Sequence, residues 1–161
     1  MQEITFRDFG AGDAAWLVAL HGRLYAEEEG FDASFEALVA RILADFLARR
    51  DPARERGWIA VGDGAERLGS IFCADGPEGL AKLRLFLLAP AARGRGLGRR
   101  MLDLCLRHAR DRGYRGLTLW THESHRAACA LYRAAGLRLT ESRPVRSFGR
   151  ALVEQSWAID F

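Results

Sequence analysis

Apolar and polar positions alternate over Ile4-Thr5-Phe6-Arg7, the period of a half-buried strand. The period then lengthens: Trp16, Leu17, Leu20 and Leu24 fall at helical spacing behind Asp13, a residue suited to capping a helix, and Gly30 breaks the run. A second helix is predicted from about Asp32, with Phe35, Leu38, Val39, Ile42 and Phe46 on one stripe and Arg49-Arg50-Asp51-Pro52 at its end. Trp58–Val61 and Leu68–Cys73 flank the turn Gly62-Asp63-Gly64 and read as a hairpin. Asp75-Gly76-Pro77-Glu78-Gly79 turns the chain into a long strand, Leu80 to Leu88. A helix carrying Met101, Leu104, Cys105 and Ala109 stops at Gly113, Leu117 to Thr121 is a strand, and a helix from Ser124 to Ala135 closes at Gly136. Leu137 to Thr140 and Ala151 to Ile159 read as two final strands.

The predicted order is therefore β, α, α, β, β, β, α, β, α, β, β, without repeats or low-complexity segments. Such a pattern builds an α/β fold, a mixed sheet with helices on both faces. At 161 residues the expectation is one domain, 1–161, with a core of its own. The formal net charge of +3 is mild, and the basic residues are spread along the chain with Lys82 the only lysine, so the arginines do not read as a nucleic-acid surface. Cys73, Cys105 and Cys129 sit among apolar residues without metal-ligand spacing and read as core thiols in a reducing compartment. The opening Met1-Gln2-Glu3-Ile4 has no apolar signal segment, and no run approaches a membrane span. The expectation is a cytoplasmic protein with no metal, no membrane partner and no nucleic-acid partner.

The most informative stretch follows the long strand: Pro90-Ala91-Ala92-Arg93-Gly94-Arg95-Gly96-Leu97-Gly98-Arg99-Arg100, leading into an amphipathic helix. Glycines remove side chains where backbone must approach something closely, and a helix start offers free N–H groups and positive dipole charge. Such a loop suits an anion, foremost a phosphate. It is not a P-loop, since no lysine follows the glycines. Nor is it a Rossmann turn, since Gly94-x-Gly96-x-Gly98 is one residue short and Thr118-Leu119-Trp120-Thr121 offers no acidic residue where one belongs.

Arg93-x-x-Gly96-x-Gly98, after a strand and a proline and opening a helix, resembles the acyl-CoA pyrophosphate loop of the GCN5-related N-acetyltransferases (GNAT). The element order resembles that family along nearly the whole chain. The resemblance implies a mostly antiparallel sheet of about seven strands, splayed between strands 4 and 5, with acyl-CoA in the notch. Further local stretches, His21-Gly-x-Leu-Tyr25, Phe35-Glu-Ala-Leu-Val39, Arg54-Glu-Arg-x-Trp-Ile-Ala60, Ala81-Lys-Leu-Arg-Leu85, Leu117-Thr-Leu-Trp-Thr121 and Ser147-Phe-Gly-x-x-Leu-Val153, resemble the acetyltransferase half of bacterial MarR-type-regulator/acetyltransferase fusions. The length leads to the expectation that a regulator half is absent.

The resemblance implies an acetyl-CoA-dependent N-acetyltransferase in which a primary amine attacks the thioester directly in a ternary complex. Backbone N–H groups of Gly94, Arg95, Gly96, Leu97, Gly98 and Arg99 would hold the pyrophosphate, with Arg93, Arg95, Arg99 or Arg100 adding charge. Phe86, Leu87 and Leu88 would lend main-chain groups to the pantetheine arm, a strand N–H near Leu87 polarising the acetyl carbonyl. Tyr132 stands where the family carries a tyrosine that protonates the leaving thiolate. His125 replaces an asparagine that contacts the cofactor arm, and Trp120 replaces a glutamate base, so the base comes from elsewhere or from a water chain, with Glu28, among Glu27, Glu28 and Glu29, one candidate. His21 reads as a satisfied core histidine, and His122 and Glu123 as either acceptor-site lining or an ordinary turn. The acceptor is expected to be a small-molecule or peptide amine and the protein a monomer or homodimer. A non-catalytic acyl-CoA-binding regulatory module is the alternative.

Overall fold

The computed structural model describes residues 3–161; Met1 and Gln2, the first residues of the opening segment considered above, lie outside the described residues. Seven strands form: Thr5–Asp8 (β1), Arg56–Val61 (β2), Arg67–Asp75 (β3), Leu80–Leu88 (β4), Gly116–His122 (β5), Arg138–Ser147 (β6) and Arg150–Asp160 (β7). Four α-helices accompany them: Ala14–Glu29 (α1), Ala33–Arg49 (α2), Leu97–Asp111 (α3) and Arg126–Ala134 (α4). The strand order in the sheet is β1-β2-β3-β4-β5-β7-β6, the mixed α/β arrangement that the sequence pattern leads one to expect. The described chain divides into two compact units, one of residues 3–11, 51–117 and 160–161, the other of residues 12–50 and 118–159.

In the first unit β1 to β4 run as an antiparallel meander, and α3 packs on β3 and β4. The helix is strongly two-sided. Leu97, Met101, Leu102, Cys105, Leu106 and Ala109 are buried at spacings of three and four, while Arg99, Arg100, Asp103, Arg107 and Arg110 face solvent. Cys73 and Cys105 are fully buried free thiols, in keeping with the core role expected of them.

In the second unit α1 packs on α2, and the two helices bury the stripes Leu17, Leu20, Leu24 and Phe35, Val39, Leu43, Phe46. Asp32 caps α2, its Oδ1 accepting from the Ser34 amide at 2.9 Å. Asp13 does not do the same for α1. Its backbone is already helical, at the end of a 3-10 turn over Ala11–Asp13 that runs straight into the helix, and it makes no side-chain cap bond. Capping needs an extended backbone to turn the carboxylate back onto the first amides, and Asp13 lacks it.

The final hairpin is the largest departure from the sequence reading. β6 does not end near Thr140 but continues to Ser147, paired with β7 on both sides of an irregularity at Thr140 and joined to it at Phe148-Gly149. The segment Ser142-Arg-Pro-Val-Arg146 carries no alternating apolar face because β6 ends the sheet order and is exposed along most of its length. A proline and several charges are tolerated on such an edge, and they hide the strand from a periodicity test.

Candidate active site

Gly94 and Gly96 hold φ at +78° and +74°, and a Cβ built on either would meet no protein atom within 4 Å. The chain's own packing therefore does not demand glycine there. The backbone conformation does, and the space in front of it is open. Gly96 is the N-cap of α3: its carbonyl accepts from the Arg100 amide at 3.2 Å, no side chain caps the helix, and no acidic residue lies in the first turn. The amides of the first turn thus lack intrahelical partners, and the dipole end is unneutralised. Two of the expected arginines have partners on this surface: Arg99 pairs with Asp103 at 3.0 Å, and Arg95 donates to the Ala91 carbonyl at 2.9 Å.

Just upstream, β4 carries an irregularity that sequence reading missed. Ser70 pairs with Leu87 and Phe72 with Arg84, so Leu85 and Phe86 together face Ile71. This is a β-bulge, and Leu85 sits in it at φ +51°. A leucine at positive φ is an outlier that surrounding contacts must enforce. Buried Ser70 does so, donating from its hydroxyl to the Leu85 carbonyl at 2.7 Å. Phe86 and Leu88 are part-exposed and Leu87 is buried.

The second unit gathers a different cluster. Gly30 ends α1 in the left-handed region, its amide and that of Phe31 satisfying the Ala26 and Tyr25 carbonyls at 3.1 and 3.2 Å. That closure turns Phe31 inward, where its ring lies 5.6 Å from Tyr25, 5.2 Å from Phe35 and 4.9 Å from Phe148. The hairpin tip is tied to the same junction: Asp32 N–H donates to the Phe148 carbonyl at 3.0 Å, and Arg150 donates to the Glu29 carbonyl at 2.9 Å. Two imidazoles complete the group. His125, the N-cap of α4, stands edge-on to Tyr25 at 5.0 Å, with Nδ1 3.1 Å from the Thr121 hydroxyl. His122, at the end of β5, is edge-on to Phe31 at 5.6 Å and perpendicular to His125 at the same distance. The Nε2 atoms of both are buried without a hydrogen-bond partner. Glu29 Oε1 lies 3.3 Å from His125 Nε2, within ion-pair range but not aligned for a hydrogen bond. Burial holds both imidazoles below their ordinary pKa, helped at His122 by the neighbouring His125 and opposed at His125 by Glu28.

The remaining expected residues fall as follows. Tyr132 is buried on α4, its ring 6.2 Å from Trp157. Glu28 is exposed at the end of α1, and Trp120 lies 5.6 Å from His122. No three His, Cys, Asp or Glu side chains among the described residues are placed to hold a metal, and no helix among them is long and apolar enough to cross a membrane.

The profile of the Acetyltransferase (GNAT) family matches residues 19–137. The chain belongs to the GNAT family. Curated relatives include the mycothiol acetyltransferase of Geodermatophilus obscurus, 30% identical over 98% of this chain and 47% of that protein. That of Thermomonospora curvata is 32% identical over 83% of this chain and 43% of that protein. The GNAT chain thus spans about half the length of, or less than, the curated relatives it matches. These relatives are named as mycothiol acetyltransferases, and the narrower resemblance to MarR-type fusions is not shown by them. Among solved structures, yncA from Salmonella typhimurium, with its cofactor acetyl-CoA, superimposes with a TM-score of 0.77 at 19% identity, over 98% of this chain and 93% of that one. Spermidine N-acetyltransferase from Vibrio cholerae, with CoA and spermine, does so at 0.73 and 17%, over 98% and 95%. At such identities they attest the fold alone.

His21 is the satisfied core histidine expected of it: 3% exposed, Nδ1 2.8 Å from the Leu17 carbonyl, its pKa lowered to about 4 chiefly by burial. The unfolded chain protonates this group near pH 6.5 and the folded GNAT chain only near 4, so the unfolded state binds more protons between them. Stability therefore falls as the pH drops from 6.5 towards 4, with His21 contributing up to ~1.4 kcal/mol per pH unit. Urea unfolding at several pH values should show this slope in the wild-type chain and a shallower one in His21→Gln.

Proposed function

We propose that the chain catalyses acetyl transfer from acetyl-CoA to a primary amine by direct attack in a ternary complex. The single observation that carries this is the uncapped start of α3, set behind two glycines at positive φ and an open space, directly after a bulged strand. That donor set fits a diphosphate: main-chain N–H groups of Gly94 to Arg99 for its oxygens, and Arg93 with its neighbours for its charge. Phe86, Leu87 and Leu88, just past the bulge, would offer main-chain groups to the pantetheine arm. Bound there, acetyl-CoA supplies an activated acyl group and a thiolate leaving group.

The other roles are assigned to residues of the second unit. Tyr132 gives its phenolic proton to the departing sulfur, since a phenol with pKa about 10 stays protonated at neutral pH. Glu28 and Glu29 lend negative charge to the acceptor end, where a cationic amine arrives. His125, expected from sequence to touch the cofactor arm, has contacts with Tyr25, Phe31, Thr121 and Glu29 that favour the acceptor end instead. The local likenesses to MarR-type fusions bear on whether a regulator works beside this enzyme, not on the chemistry. The test is thiol release from acetyl-CoA over a panel of amines, amino acids and peptides, with the product weighed by mass spectrometry. A gain of one acetyl group on a primary amine supports the reading. Tight CoA binding without turnover on any amine favours a regulatory acyl-CoA-binding module.

A further inference from the structure

Resting on the acetyl-transfer reading, we propose that His122 is the general base for the acceptor amine, in a ring-walled site that takes a primary amine with an apolar flank. His122 is 2% exposed, and its Nε2 has no hydrogen-bond partner. A buried polar atom left without a hydrogen bond is costly and calls for an explanation. The walls give none from within: the rings of Phe31, Phe148 and Trp120 stand at 5.6, 6.0 and 5.6 Å. The perpendicular ring of His125 carries a second unpartnered Nε2 in the same cluster. Two neighbouring imidazole nitrogens without a hydrogen bond suit one guest rich in N–H donors, and a primary ammonium brings three. Glu29, its side chain 17% exposed and 3.3 Å from His125, supplies the opposite charge. A metal is the other guest such nitrogens would take, but no third ligand among the described residues is in place.

The charged and titratable groups acting on His122 are His125, Glu154 from β7 and Glu29 from α1, with Glu28 acting on His125. Burial outweighs the carboxylates, so both imidazoles are neutral at pH 7 and open to a proton. In the step proposed, an N–H bond of R–NH3+ breaks and its proton passes to His122 Nε2. The freed lone pair forms the C–N bond at the thioester carbon and the C–S bond breaks. The sulfur takes a proton from Tyr132, which recovers one from the same nitrogen. His122 later yields its proton to solvent, and the balance is amide, CoA thiol and one proton.

The test uses 2-phenylethylamine as acceptor, with CoA affinity measured calorimetrically on the same preparations. His122→Ala should bind CoA within about twofold of wild type and lose on the order of 10²-fold in kcat, with added imidazole restoring at least tenfold. The wild-type kcat/KM should fall on an acidic limb below the ordinary imidazole pKa, and His122→Gln, which keeps a polar side chain, should lack that limb. Wild-type rates in folded His122→Ala or His122→Gln overturn the proposal, as do an unchanged limb, no response to imidazole, or a wild-type chain that binds CoA but leaves the amine unacetylated. A wild-type chain that fails to bind CoA overturns the acetyl-transfer reading beneath it.

Discussion

Gly96→Val should leave the chain folded and reduce CoA affinity by about 10³-fold or more. The expected result rests on two separable costs. A β-branched residue at φ +74° is strained wherever it sits, by ~1–2 kcal/mol or more. The side chain also enters the open space beside the loop, into which the proposed diphosphate would bind. Gly113, at the other end of the same helix, separates the two: its φ is +84° and its Cβ direction is equally empty. Gly113→Val should lose a similar amount of stability and keep wild-type CoA affinity. Normal CoA binding by folded Gly96→Val would remove the loop from the cofactor site.

Tyr132→Phe should lower turnover by on the order of 10²-fold while CoA affinity stays near wild type. The substitution keeps the buried ring against Trp157, so stability should change by about 1 kcal/mol or less. A proton donor to the leaving group acts on the chemical step alone, which is why the loss should appear in kcat and not in cofactor binding. Unchanged turnover, measured as thiol release with any amine the enzyme accepts, would make Tyr132 a packing residue and leave the thiolate to solvent.

What could be read from the sequence follows what local physics decides. The helices behind the stripes Trp16/Leu17/Leu20/Leu24 and Phe35/Leu38/Val39/Ile42/Phe46, the Gly62-Asp63-Gly64 hairpin and the two-sided α3 are all written in periodicity and form where expected, although Trp16, Leu38 and Ile42 are only half-buried and Leu43 takes a core place the stripe did not name. Gly94 and Gly96 announce positive φ because few other residues adopt it. Edge strand β6 was invisible beyond Thr140 because an exposed strand needs no alternation. The Leu85 bulge was equally hidden: leucine carries no sign of a positive φ imposed by a hydroxyl fifteen residues away. The histidine cluster is a third kind of case. His122 and His125 are visible as residues, but only the Gly30 turn and the β6–β7 tip, which bring Phe31 and Phe148 against them, show that their Nε2 atoms are buried and idle.

The most direct measurement is a parallel titration of the chain with CoA, ATP and NAD, following melting temperature and heat. CoA should bind, with about 2.7 kcal/mol of added stability at ~100 times its Kd, and ATP and NAD should give a far smaller response. An equal response to all three ligands, or none to CoA, would contradict the proposed CoA site.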